Sequence, residues 1–401
     1  SAMSQLFFNI ILILFISPPI ESSWWSFLFP NSPDLQCRDL NGKPVDWFAV
    51  YKLPVLDENG PEFKDGLSFL YADSKSRSWT ISDKKINDPD SAVGATVNQL
   101  WSVKNNNKIF YALYNDENPY TNKTDSYRAH MKGILAFDMD KGFWMIHSVP
   151  RFVNLKADRY SYPDTGARNG QSFLCVTFPV AALKSIGIQL QIAQPSIYDY
   201  HLPTTVATMF PELAKTIGMK KYTGKTVSSV KNIPSLGGST FTSFSKNRKF
   251  GKDLYGDFVA PQLRNSLYVE SWLNGAASDL SSYCNDSYKT YNLRSVKVDS
   301  KFVFNSSKDH SKWAVATENK NPVVCIGDIN RQKSQETRGG GTLCLNHGPL
   351  WELYRSSVEN AENCPAQTPF RPPNIETKRV PSGSNFYLST SVAAILILFF
   401  I

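Results

Sequence analysis

One segment of this chain occurs twice. Ala129–Arg151 and Asp309–Arg331 align without a gap, 180 residues apart, and each opens on a His-x-Lys triplet: His130-Met131-Lys132 in the first, His310-Ser311-Lys312 in the second. Asp138 falls on Glu318, the turn Asp140-Lys141-Gly142 on Lys320-Asn321-Pro322, the apolar run Phe143–Ile146 on Val323–Ile326, and Ser148 on Asp328. Each copy predicts a strand carrying the triplet, a polar turn, and a second strand returning beside the first. A duplicated hairpin constrains the fold to two related halves, each supplying one His and one Lys.

In a strand, residues i and i+2 project from one face, so each triplet presents an imidazole and an ammonium together. If the halves pack about a pseudo-twofold axis, two groups that exchange protons near neutrality meet two that stay cationic. That set suits phosphoryl transfer without a metal. One His attacks phosphorus, the other protonates the leaving oxygen, and Lys132 and Lys312 stabilise charge on the non-bridging oxygens. A single triplet reads as an ordinary exposed strand pair; two in matched contexts point to catalysis.

The chain has 401 residues, 42% of them hydrophobic, enough to bury one large core or two fused ones. Its formal charge of +8 favours a polyanionic partner. Between Leu213 and Lys252 there are nine Lys or Arg and no Asp or Glu, with Phe241 and Phe244 ahead of the densest run, Lys246–Lys252. This stretch reads as a flexible basic loop, either tracking a nucleic-acid backbone or forming a solvated surface.

The ends read as addresses. Residues 1–23, with an apolar run from Leu6 to Ile16 broken at Pro18-Pro19, predict a signal peptide cleaved near Ser22 or Ser23. Residues 24–195 and 196–364 are the expected halves, 365–385 a proline-rich stalk, and 386–401 an apolar tail resembling a lipid-anchor attachment signal, through which alone a membrane is expected to engage. Six cysteines behind an export signal predict three disulfides in an oxidising compartment, with ~15 connectivities open on spacing alone. Sequons at Asn122, Asn285 and Asn305 are expected to be exposed and glycosylated. No CxxC or HExxH spacing occurs, so no metal site and no cofactor are expected.

Aromatic and β-branched runs predict strands at Val45–Leu53, Lys108–Tyr114, Gly133–Asp138, Phe143–Val149 and Ser172–Phe178, a helix over Pro179–Gln194, and a link from Tyr198 to Pro203. The second half predicts strands at Gln262–Trp272, Val296–Phe304, Trp313–Thr317 and Val323–Gly327, and a helix over Trp351–Asn360. The expected class is mixed α/β (α+β), with two packed sheets flanked by helices.

From Cys37 to Cys364 the chain resembles the type II (acid) deoxyribonucleases, a branch of the phospholipase D superfamily. The resemblance rests on Cys37-Arg38-Asp39, Pro44–Phe48, His130–Gly133 leading to His147-Ser148-Val149-Pro150, Asp309–Trp313, Cys325–Arg331 and Arg338–Thr342. It implies a pseudo-dimer with the active site between its halves. It further implies endonucleolytic cleavage of DNA, double-stranded by expectation, in acid and without a divalent metal, leaving 3′-phosphate and 5′-hydroxyl ends. His130 is expected as nucleophile and His310 as general acid, with a homodimer as one expected assembly. Gly327-Asp328-Ile329-Asn330 is similar to the Gly-Ser-x-x-Asn element that holds phosphate in the superfamily; Pro150 stands where the second copy has Asn330, so the halves should not be equivalent. The resemblance pairs Cys37 with Cys175, Cys284 with Cys364, and Cys325 with Cys344.

Asp328 and Asn330 are expected to bind substrate or orient His310, with an Asx turn as the plainer reading. Ser148 and Arg338 are further substrate-binding candidates. His147 either lines the site or serves as a structural hydrogen-bonding group, and His201 and His347 are expected to be non-catalytic. Two other functions share these residues: a phosphodiesterase or phospholipase acting on another ester, and a secreted non-catalytic binding protein that has kept the fold.

Overall fold

A short ribbon, β1 (Cys37–Arg38) and β2 (Pro44–Val45), leads into β3 (Trp47–Lys52), whose side chains are all buried and therefore need cover on both faces. In this computed structural model, which describes residues 33–274, 278–284 and 287–364, that cover comes from a second sheet on one side and a helix on the other. Trp47, Ala49 and Tyr51 point into the space between the sheets, while Phe48 and Val50 face the helix Ala92–Val103. Ser91 caps that helix, accepting from the Gly94 amide, and Val93, Val97 and Leu100 form its buried stripe. The signal peptide, stalk, apolar tail and Asn285 lie outside the described residues.

The first sheet also contains β4 (Phe69–Asp73), β5 (Thr80–Ile81), β6 (Phe110–Asn115), β7 (Lys132–Phe137), β8 (Lys141–His147), β9 (Gln171–Pro179) and β10 (Ile197–His201). Its order is β10-β6-β7-β8-β9-β3-β4-β5, antiparallel throughout. The second contains β11 (Ser228–Pro234), β12 (Thr240–Lys246), β13 (Leu267–Glu270), β14 (Thr290–Val298), β15 (Phe302–Asn305), β16 (Trp313–Ala316), β17 (Val323–Gly327) and β18 (Gly340–Asn346), in the order β11-β12-β18-β17-β16-β13-β14-β15, with β19 (Val358–Ala361) against β14. The sequence repeat reappears as strand order: β6-β7-β8-β9-β3 in one sheet corresponds to β13-β16-β17-β18-β12 in the other, all antiparallel neighbours. Mixed α/β architecture with packed sheets and flanking helices is what the residue pattern predicts. Tyr51 from the first sheet and Trp313 from the second meet edge to face with ring centroids 6.5 Å apart.

Several expectations are corrected. The basic stretch Leu213–Lys252 is not a flexible loop. Most of it is helix Pro211–Ile217 and the hairpin β11–β12, in which Phe241 and Phe244 are core residues. Lys246 is buried, its ammonium donating to the carbonyls of Gln335, Glu336 and Arg338. The segment Tyr198–Pro203, read as a link, contributes most of edge strand β10. Gln262–Trp272 is strand only from Leu267 to Glu270, because a helical turn persists to Leu263 and Arg264 reverses the chain at φ 52°. Val296–Phe304 is two strands, since Asp299 and Ser300 both take φ 54° and turn the chain. The last helix is Gly348–Ser356, and Val358–Ala361 leaves it to pair with β14.

All three disulfides join the pairs the resemblance implies: Cys37–Cys175, Cys284–Cys364 and Cys325–Cys344. Cys325 and Cys344 are directly opposed in β17 and β18, so this bridge staples the two strands that follow the second triplet. Among the described residues no helix is long and apolar enough to cross a membrane. Asn122 and Asn305 are exposed, as glycosylation requires.

Candidate active site

Each histidine sits just ahead of its strand rather than inside it: β7 begins at Lys132 and β16 at Trp313. The reason lies in the partners of the two histidine amides. His130 donates to the carbonyl of Gly339 at 2.9 Å and His310 to that of Gly170 at 2.8 Å, so each histidine is tied to the residue preceding the third repeat strand of the opposite sheet. At Gly170 a Cβ would lie 2.4 Å from Asp309 Oδ1, and at Gly339 it would lie 2.0 Å from the Ala193 carbonyl oxygen, so neither position has room for a side chain.

This exchange brings the four predicted groups within electrostatic reach of one another. His310 is influenced by Lys312, Lys132 and His130, and His130 by Lys132 and Lys312. His130 and His310 are 9% and 7% exposed. Burial holds both below the ordinary histidine range; Asp116 opposes this at His130, and Lys132 and Lys312 add to it at both.

Their surroundings differ. His130 Nδ1 lies 2.8 Å from Gln335 Oε1, and its Nε2 lies 3.9 Å from Asp116 Oδ2. Asp116 also pairs with Lys132 and, at 3.2 Å, with Arg338. Burial alone would raise this carboxyl, but Lys132, His130 and Arg338 hold it well below the usual carboxylate range, so it is an anion. His310 Nδ1 instead meets the Ser148 carbonyl at 3.3 Å, and its ring packs edge-on to Trp272 with centroids 4.3 Å apart. In both cases an oxygen acceptor at Nδ1 leaves the Nε2 lone pair free. Lys312 donates to the His310 carbonyl at 2.7 Å; burial and the neighbouring Lys132 pull its ammonium down to about 7.

Asp328 follows β17 and is 6% exposed, with Oδ1 unpartnered. Burial pushes its carboxyl up to about 8, against the opposing pull of Lys132 and Lys312. Asn330 is also buried with Oδ1 unpartnered.

A family model described as Deoxyribonuclease II matches residues 36–364. The chain belongs to the deoxyribonuclease II family. It is 41% identical over 339 residues to Cell-death-related nuclease 7 of Caenorhabditis elegans, covering 84% of this chain and 90% of that protein. It is 38% identical over 355 residues to Deoxyribonuclease-2 of the same species, covering 82% and 93%. With Deoxyribonuclease-2-alpha of Rattus norvegicus the identity is 38% over 344 residues, covering 84% and 97%.

Within this deoxyribonuclease II frame the remaining candidates separate. The Ser148 hydroxyl donates to Gln171 Oε1 at 2.6 Å and accepts from the Ser172 amide, so the residue acts on the site through its carbonyl. The Arg338 guanidinium donates to Asp116 and to the carbonyls of Arg128, Asp125 and Ala129, which anchors the segment ahead of His130. His147 is buried between Phe152 and Phe173, accepting from the Val149 amide at 3.2 Å. His201 Nδ1 meets the Ile109 carbonyl at 2.6 Å, and His347 caps the final helix; both roles are structural. Asp116, Gln335 and Trp272 are absent from the motif reading. Each lies outside the repeat, and only the three-dimensional path of β6, of the turn before β18 and of the chain after β13 carries them to the site.

Proposed function

We propose that this chain is an acid endonuclease of DNA that works through a phosphohistidine intermediate. The observation that carries the reading is the crossed tethering of His130 and His310 to Gly339 and Gly170, with the two imidazoles and two ammonium groups in electrostatic reach of one another. Asp116 is a carboxylate that acts directly on His130. It favours the imidazolium of His130, whereas Lys312 and Lys132 disfavour that of His310, which serves as the neutral nucleophile. The roles are therefore exchanged from those expected of the motif. His310 Nε2 attacks phosphorus as the P–O5′ bond breaks, and O5′ takes the proton from His130 Nε2. His130 then removes a proton from water, whose oxygen attacks phosphorus, breaks the P–N bond and leaves a 3′-phosphate.

A phosphodiester anion raises both imidazole pKa values on arrival and so favours the protonated acid. Lys132 and Lys312 face the non-bridging oxygens. Three disulfides and the family suit a secretory or lysosomal setting, where an acidic compartment matches this charge balance. The test is nicking of supercoiled plasmid at about pH 5 and pH 7.5 in EDTA, values that bracket the free imidazole. Acid-favoured nicking that survives the chelator and vanishes in His130→Ala and His310→Ala supports the reading. Folded protein that leaves the plasmid intact at both values overturns it and directs attention to other phosphodiesters.

A further inference from the structure

Asp116 also lines a cavity of about 440 Å³ whose other walls are Asn115, the loop Asn118–Arg128, Ser196–Tyr198 at the start of β10, and Thr216–Lys220 at the end of helix Pro211–Ile217. Its volume falls within the range of small-ligand sites. Ile197, Tyr198, Ile217 and Met219 give it an apolar patch, and Asn118, Thr121, Thr124 and Ser196 give it polar edges. The Asn118 carboxamide oxygen is taken by the amides of Tyr120 and Thr121, while its NH2 and the Thr124 hydroxyl have no hydrogen-bond partner among the described residues. Arg128 braces one wall, donating to the carbonyls of Pro195, Met219 and Lys220. At the rim Lys123 and Lys220 are exposed and form no ion pair among the described residues.

From this arrangement we infer that the cavity is a nucleoside subsite, holding the nucleoside bonded to the scissile phosphate on the His130 side, with the next phosphate along the strand on Lys123 and Lys220. The inference rests on the nuclease reading above. A flat base with a polar edge matches one apolar patch facing unsatisfied amide and hydroxyl groups, and a lipid chain does not. Asp116 lines this cavity and lies 3.9 Å from His130 Nε2, so the nucleoside held there is assigned as the one carrying the departing O5′. The cavity thus selects a nucleic acid over a simple phosphate ester.

The experiment compares steady-state cleavage of a short DNA duplex with cleavage of thymidine 3′-(p-nitrophenyl phosphate), whose leaving group has neither base nor further phosphate. The full chain carries either the double substitution Lys123→Glu and Lys220→Glu or the single substitution Gly218→Trp. A Cβ at Gly218 meets nothing closer than 3.8 Å and φ there is negative, so the indole enters open space. The expected result is a KM for duplex raised about tenfold, a salt dependence shallower by about two phosphate contacts for the lysine pair, and unchanged turnover of the aryl ester. Equal loss on both substrates, or unchanged duplex kinetics in both variants, overturns the subsite. Failure of the unsubstituted protein to cut duplex at all overturns instead the reading on which it rests, so the two failures are told apart.

Discussion

The amide of His130 is held by the carbonyl of Gly339 across the two sheets, and the second copy of the repeat returns the same bond from His310 to Gly170. Each catalytic segment is thus positioned by the half that does not encode it. Gly339→Ala pushes a methyl group against the Ala193 carbonyl, backbone that cannot swing aside. Overpacking of this kind costs about 1–3 kcal/mol of stability. Displacing His130 by about 1 Å costs on the order of 100-fold in rate. Thermal denaturation and plasmid nicking of Gly339→Ala should therefore show a modest fall in Tm beside a large fall in kcat; equal rates in variant and parent would remove the tether from the mechanism.

The division of labour between the histidines is open to a leaving-group test. Departure of p-nitrophenolate needs no acid, so His130→Ala should retain most of its activity toward thymidine 3′-(p-nitrophenyl phosphate) in the first turnover and accumulate a phosphoenzyme. His310→Ala should lose that activity altogether. Asp116→Asn removes the anion that favours a charged His130, and its duplex kcat should fall while the alkaline limb of the pH profile shifts to lower pH. The opposite pattern, burst retained in His310→Ala and lost in His130→Ala, returns the roles to those expected from the motif.

Two groups besides the proposed acid His130 should add to an acid preference. Lys312, near 7, is a cation below that value and neutral above it; Asp328, near 8, is neutral below and an anion above. Raising the pH from 5 to 9 thus removes one positive charge and adds one negative charge at the place where a phosphodiester anion must bind. Lys312→Arg, always charged, and Asp328→Asn, never charged, should each extend the alkaline limb of kcat/KM upward by about one unit. Profiles of both variants that superimpose on the parent would assign the alkaline limb elsewhere.

Much of this was legible in the chain itself because a duplicated motif carries its own control. Val323–Gly327 was placed to the residue, and Phe143–Val149 within a few, since a buried hairpin strand is a continuous apolar run bounded by turn residues. The basic hairpin was missed for a physical reason. Lys246 reads as a solvated charge, yet three carbonyls of the turn before β18 satisfy its ammonium inside the protein, and only the fold supplies them. Asp116 was invisible on the same grounds, since nothing local marks a carboxylate whose partners are Lys132, 16 positions on, and Arg338, 222 positions on.

A protein proposed to act in acid carries a histidine that acid should unfold. His147 is 2% exposed, and burial, then the charge of Lys132, pulls its imidazole down to about 3. Its folded pKa is depressed, so between about 6.5 and 3 the unfolded chain binds a proton that the folded chain refuses; the stabilisation is full above 6.5 and falls as the pH drops. From pH 6.5 to 5 the loss is about 2 kcal/mol for this residue. The crosslink Cys37–Cys175, closing a loop 138 residues long, offsets it by about 4–5 kcal/mol through the unfolded state. His147→Asn, which does not titrate, should be less stable than the parent at pH 7.5 but lose about 2 kcal/mol less on acidification to pH 5, as read from urea denaturation at the two values. An equal acid loss in parent and variant would shift the liability to His130 and His310, whose imidazoles are depressed in the same sense.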